Sequence, residues 1–224
     1  MNRNHHVTFR VRCGIKKDRQ GLEMLKIWIV LAVLLVFHFL RAEITINEFL
    51  YDPVGSDTGY EWIELYNPSQ NSINLLGWKI LKAGTYFTEC YVFPDYELKP
   101  GSFLLLGENN VEGAHLYATL ALQNGGTATD GLRLLSLDEQ YTDTVLYDEP
   151  NSNSLPDDQS DPGIWFAPDV SSGHSLARKH DGIDSGNSEQ DWFDCLEPSP
   201  GSGNFYPVDL ALNNLEIIEV EGFF

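Results

Sequence analysis

Basic residues are scarce in this 224-residue chain, and most of them lie near its amino end. Lysine and arginine number 14 against 33 acidic residues, and eight of the 14 precede Glu43. The rest of the chain carries 6 basic and 31 acidic residues, a net charge of −25. Such a body repels nucleic-acid backbones and anionic membranes, so no nucleic-acid partner is expected. A domain with this charge can still bind cations, basic proteins and neutral glycans. Its acidic residues also keep it soluble.

Cysteine is equally rare, with three residues in the whole chain. Cys13 lies near the amino end, which leaves Cys90 and Cys195 for the rest. Two cysteines can pair in an oxidising compartment. They can also both stay free, because sequence separation does not fix the distance between them.

Motifs for catalysis are missing. After residue 42 the histidines are His115, His174 and His180, and no Cys/His spacing suits zinc. The Gly-His-Ser at 173–175 lacks the flanking glycine pattern of a nucleophile elbow, and no glycine loop with a lysine could hold phosphate. We therefore predict that the chain is not an enzyme and needs no cofactor.

One long hydrophobic run is present, at 27–40. A membrane-spanning helix needs roughly 20 apolar residues, whereas this length is typical of a signal-peptide core. The sequence thus predicts a leader over 1–42 with a hydrophobic signal helix in a signal peptide over 24–42, and a secreted or cell-envelope location. A membrane contact is expected only if the leader stays uncleaved.

The remaining sequence alternates between apolar and polar residues in short runs that are separated by turn signals. The runs at 44–50 and 61–67 have this period of two, and no long amphipathic helix follows them. The pattern predicts an all-β fold, either a sandwich or a barrel. It places Glu48 and Glu61 on the apolar sides of their strands. Residues 108–130 and 149–163 are predicted to be loops without a core pattern.

Several short motifs occur in the order found in bacterial lamin-tail domains. They are Ile-x-Ile-Asn-Glu, Glu-Trp-Ile-Glu-Leu-x-Asn, Leu-x-Gly-Trp, a Pro-Gly turn, Asp-x-Val-x-Tyr, Ser-Leu-x-Arg, a late Trp and Pro-Gly-x-x-Asn. Residues 43–206 resemble this family through the residues Glu48, Glu61, Trp62, Glu64, Asn67, Trp78, Arg178, Trp192, Pro200, Gly201 and Asn204. The resemblance implies an immunoglobulin-like β-sandwich. It also implies an interaction module, often found beside secreted nucleases or phosphoesterases. Residues 207–224 are then a linker or the start of a truncated second β module.

A carboxylate that faces a core must be neutralised or hydrogen-bonded. We therefore expect Glu48 and Glu61 to accept backbone N–H groups from adjoining loops or to pair with Arg178. A cation site is the alternative role.

Two acidic loops offer oxygen ligands of the kind that Ca²⁺ prefers. One holds Asp157, Asp158 and Asp161. The other gives the candidate ligand set Asp181, Asp184, Asn187 and Asp191. Neither has the spacing of a helix-flanked calcium loop, and solvated acidic loops are the alternative.

Trp62 and Tyr66 share one side of their strand, opposite Ile63 and Leu65. Either they stack on a ligand or a neighbouring loop covers them. Together these features predict a non-catalytic exported module for attachment to proteins or glycans at the cell surface. The alternative is an accessory domain of a secreted hydrolase whose catalytic part lies outside this chain.

Overall fold

The computed structural model describes residues 44–207. The predicted leader and signal helix lie outside the described residues, as do residues 208–224. Thirteen strands and one helical turn form within the described part. They are β1 (Thr45–Leu50), β2 (Trp62–Tyr66), β3 (Ile73–Asn74), β4 (Lys79–Ala83), β5 (Phe87–Val92), β6 (Glu97–Leu98), β7 (Phe103–Gly107), β8 (Leu116–Tyr117), β9 (Asp130–Leu135), β10 (Thr142–Asp148), β11 (Ala167–Pro168), β12 (Ser175–Arg178), α1 (Ser188–Asp191) and β13 (Trp192–Cys195).

The strands form two large sheets. One has the order β13-β12-β1-β2-β7-β8, and the other has the order β11-β10-β9-β4-β5. A small third sheet pairs β3 with β6. Nearly all pairings are antiparallel, the exceptions being β7 with β8 and β10 with β11. The predicted all-β fold is confirmed.

One hydrophobic core joins the two large sheets. Ile63 and Leu65 on β2 and Leu132 and Leu134 on β9 are fully buried in the same cluster. Phe49 lies 5.6 Å from Trp192 and 5.2 Å from Tyr147, measured between ring centroids. Since alternate residues of each strand enter this layer, period-two patterning is enough to build a sandwich.

A β-bulge changes the faces of β1. The register with β2 shifts between Ile46 and Glu48, which leaves Asn47 as the extra residue. Beyond it, Phe49 faces the core, and Glu48 lies opposite Glu64 on the outer face. The prediction that Glu48 shares a face with Ile46 is therefore wrong, because a bulge reverses the alternation that follows it.

The predicted loops contribute more to the core than their composition suggests. Leu120 and Leu122 in the 108–130 region and Leu155 in the 149–163 region are buried. Arg133 anchors the acidic loop by donating to the carbonyl of Pro156 at 2.9 Å. Among residues 44–207, no helix is long and apolar enough to cross a membrane.

Cys90 and Cys195 are both free, so the candidate disulfide is not formed. Cys90 lies on β5, and Cys195 lies on β13. These strands are edge strands of different sheets, and β13 contacts β11, which lies at the opposite edge of the second sheet from β5. The thiol of Cys195 instead donates to the carbonyl of Glu197.

Candidate functional site: buried carboxylates and an open sheet edge

Arg178 is fully buried and has several anionic partners. Its Nη2 lies 2.7 Å from Asp143, and its Nη1 lies 3.4 Å from Asp184 and 3.6 Å from Asp191. Its guanidinium also lies over the ring of Trp192, 4.7 Å from the centroid. Burial lowers the pKa of Arg178, but the three carboxylates outweigh this and raise it, so the guanidinium stays charged.

Glu48 does not pair with Arg178. Its carboxylate accepts hydrogen bonds from the hydroxyls of Ser175 and Ser199 and from the backbone N–H of Ser199 at 3.0 Å. The prediction that this side chain accepts a backbone N–H from an adjoining loop is confirmed. Burial raises the pKa of Glu48, and these hydrogen bonds offset part of the rise.

Glu64 lies beside Glu48 under the same carboxy-terminal segment. It accepts from Nδ2 of Asn47 at 3.1 Å and from the backbone N–H of Gly201. Asn204 donates to the carbonyls of Asn47 and Arg178 at 3.0 and 2.9 Å, which ties the segment to the sheet. Burial raises the pKa of Glu64 to about 8, and the nearby Glu48 adds to the rise.

Glu61 and Glu108 accept backbone N–H groups from the loop at 108–130, as Glu48 and Glu64 do from the carboxy-terminal segment. Glu61 accepts from the backbone N–H of Leu122 at 2.9 Å, which confirms its predicted role. Glu108, which the sequence motifs do not single out, accepts from the amides of Gly59 and Leu120. Burial raises the pKa of Glu61 to about 7, with a further contribution from Glu108.

The four candidate calcium ligands do not converge into one ligand set. Asp184 and Asp191 approach Arg178. Asp181 accepts a backbone N–H from the carboxy-terminal segment at 3.0 Å. Asn187 caps α1 with its side-chain oxygen. Each side chain has a structural partner, as is usual for buried polar groups.

Within residues 44–207, three acidic side chains, Asp143, Asp158 and Asp184, each place an oxygen within 4.8 Å of the other two. Arg178 already pairs with two of these residues, and Asp158 accepts from the amide and hydroxyl of Thr144 at 2.6 and 2.7 Å. The positive charge that balances this group is the guanidinium itself.

The remaining motif residues are structural as well. Asn67 donates to the carbonyls of Asn71 and Leu98 at 2.9 and 2.8 Å. Trp78 is buried with its ring 6.0 Å from Tyr141. Trp62 is buried too, which confirms that neighbouring structure covers it.

A family model described as the lamin tail domain matches residues 40–157. The chain belongs to the lamin tail domain family. The match covers β1 to β10, whereas β12, β13 and the segment at 198–204 lie beyond it. No curated protein sequence matches the chain. Immunoglobulin-like domains of this family are generally non-catalytic, which agrees with the use of the buried carboxylates as hydrogen-bond acceptors.

Two of the described histidines have partners outside the buried carboxylate groups. His115 accepts from the amide of Leu105 at 3.0 Å, and His174 lies 2.7 Å from Asp194. His174 immediately precedes β12, and Asp194 lies on β13.

The outer edge of β13 borders a small cavity of about 240 Å³. Phe193, Leu196, Phe205 and Pro207 give it an apolar lining. Leu196 and Phe205 are 68% and 81% exposed, which is unusual for large apolar side chains so close together. Sequence reasoning missed this surface, because Leu196 and Phe205 follow no periodic pattern.

Proposed function

We propose that this lamin tail domain is an exported, non-catalytic attachment module that binds a basic protein partner outside the cytoplasm. The proposal rests on one observation: the exposed acidic side chains far outnumber the cations that are free to balance them. Of the six buried acidic side chains among residues 44–207, five accept from structural donors, namely Glu48, Glu61, Glu64, Glu108 and Asp143, whereas Oδ2 of Asp130 has no hydrogen-bond partner. The exposed ones have few local cations.

The cations of residues 43–224 are largely engaged within the domain. Lys79 pairs with Glu89 at 3.4 Å, and Arg178 is buried. Lys82 and Lys179 donate to backbone carbonyls at 2.7 Å or less. Few cations are left to balance the negative charge of the exposed acidic side chains. A protein with a basic surface is therefore the electrostatically complementary partner.

The proposal is tested by retaining host envelope proteins on the immobilised full chain at low salt and then measuring the affinity of the purified partner. We expect a protein whose affinity falls about tenfold between low and physiological ionic strength, because exposed charges are screened. A captured nuclease or phosphoesterase would assign the accessory role.

A matched variant neutralises the exposed residues Glu97, Glu112 and Glu149 by substitution with glutamine. It should keep the melting temperature of the unaltered chain and slow association with the partner. Retention of no protein at low salt, or an affinity that salt does not change, would contradict the proposal.

A further inference from the structure

The four edges of the two large sheets are not equally able to accept another strand. β8 and β11 have two residues each, and β11 ends on Pro168. β5 carries a bulge at Cys90, because Ile80 pairs with Tyr91 and Leu81 pairs with Glu89. β13 pairs with β12 through four residues in unbroken register. Since bulges, prolines and short length protect edges, β13 is the least protected edge of the described residues.

The backbone groups that face outward from β13 can be identified. The amide of Lys179 donates to the carbonyl of Asp191 at 2.8 Å, which makes this pair a hydrogen-bonded one. Antiparallel pairs alternate between bonded and non-bonded, so Phe193 and Cys195 bond to β12. The N–H and C=O of Asp194 therefore point away from the sheet, and within residues 44–207 no strand pairs with them.

The apolar cavity lies beside these outward groups. It is lined by Phe193, Leu196 and Phe205, so an added strand could place one apolar side chain there. Recognition by strand addition combines main-chain hydrogen bonds with such side-chain pockets.

The charge at the mouth of the cavity selects the ligand. Asp194 and Glu197 both line it and are exposed. The carboxy-terminal residues 208–224 contain one aspartate, three glutamates and no lysine or arginine, so they are a poor electrostatic match. A basic segment has the opposite charge: it fits Glu197 directly and shares the Asp194 carboxylate with Nδ1 of His174, which lies 2.7 Å from it.

We propose that β13 is a strand-addition site for an extended peptide that alternates basic and apolar residues. The peptide pairs with the Asp194 backbone, inserts an apolar side chain between Leu196 and Phe205, and places its basic residues near Glu197. This inference rests on the proposed function and names its surface and the class of its partner.

The test uses the full chain and a fluorescent peptide with the sequence Lys-Val-Lys-Ile-Lys-Val-Lys, with a glutamate-for-lysine peptide as control. Fluorescence anisotropy should show binding of the basic peptide alone. The Asp194 amide should exchange with solvent at least about tenfold more slowly in the complex, since it gains an acceptor. Exchange that is already slow without peptide would mean that the chain's own tail or a second copy occupies the edge, and would overturn the proposal.

Asp194→Pro and Asp194→Ala form the decisive pair, because both remove the carboxylate but only proline removes the outward N–H. Asp194→Pro should raise Kd about tenfold over Asp194→Ala at similar melting temperatures. Equal Kd values would overturn the proposal, as would binding of the acidic peptide. If the basic peptide fails to bind while envelope capture persists, this inference fails and the proposed function stands; loss of capture by the unaltered chain defeats the function itself.

Discussion

Two groups of buried carboxylates in this domain are stabilised by different chemistry. Asp143, between the sheets, faces the guanidinium of Arg178 at 2.7 Å. Glu48 and Glu64, on the outer face of the six-stranded sheet, accept hydrogen bonds from hydroxyl, amide and backbone N–H donors. Neither glutamate forms an ion pair with a cation among residues 44–207.

This contrast shows how a sheet can bury carboxylates when the chain has few basic residues. An ion pair fixes one point of the core but needs a cation, of which residues 43–224 have 6. Backbone N–H donors are available wherever a loop passes over the sheet. A carboxylate held by N–H groups, however, can take up a proton when burial outweighs its donors. Burial also raises the pKa of Asp143 to about 7, against the opposing effect of Arg178. Both groups should therefore respond to pH, and the Arg178 group should in addition respond to loss of its cation.

The largest effect is expected from Arg178→Leu. It leaves Asp143 buried without its cation and Asp184 and Asp191 close by, so the free energy of unfolding should fall by about 3–5 kcal/mol. Urea unfolding followed by tryptophan fluorescence measures the change. Lys179→Leu is the control, because Lys179 is a neighbouring cation that donates to carbonyls near the surface.

The double variant Arg178→Leu with Asp143→Leu should recover part of this loss, because replacing both charges avoids an unpaired one. A fall below about 1 kcal/mol in the single variant would show that the ion pairs are energetically minor.

The second effect is a loss of stability as pH rises. The pKa values of Glu61 and Glu64 are raised from 4.5 to about 7 and about 8 in the fold. At pH values between the unfolded and folded pKa of each group, the folded state binds more protons than the unfolded state. The stability that these two groups contribute is therefore complete below about pH 4.5 and is lost as pH rises through 7 and 8. Each group contributes a fall of up to about 1.4 kcal/mol per pH unit between its unfolded and folded pKa, so the two together give at most about 2.7 kcal/mol per pH unit between pH 4.5 and 7.

Chemical denaturation at a series of pH values from 5 to 9, at constant ionic strength, measures this slope. Stability that increases with pH over the same range would mean that Glu61 and Glu64 are ionised throughout.

The sequence predicted which strand residues face the core better than it predicted which groups pair with the buried charged side chains. Alternation in β2 correctly placed Ile63 and Leu65 in the core, since side-chain direction follows the local period. The bulge at Asn47 was not predictable, because one extra residue leaves no mark in composition. The pairing of Arg178 with Asp143 joins β12 to β10 across the core, and such contacts depend on topology rather than spacing. The available signal was that Asp143 alternates with the apolar residues Val145 and Tyr147 along β10.

The smallest and sharpest test compares Glu48→Gln with Glu64→Gln. Both oxygens of Glu48 accept from Ser199, so an amide would turn one acceptor into a donor that faces other donors. This should cost about 2 kcal/mol, as expected for a buried group left without a partner. Glu64 has a pKa of about 8, so at pH 6 glutamine removes no charge. It loses one acceptor, for the amide of Asn47 or of Gly201, whereas Ser199 alone makes three hydrogen bonds to Glu48.

Glu64→Gln should therefore change the unfolding free energy at pH 6 by less than about 1 kcal/mol. At pH 9 the variant should be more stable than the unaltered chain, because it cannot ionise beneath the carboxy-terminal segment. Parallel urea titrations at the two pH values measure both differences. If Glu64→Gln instead lowers stability equally at pH 6 and pH 9, the side chain is ionised at both, and its donors from Asn47 and Gly201 outweigh its burial.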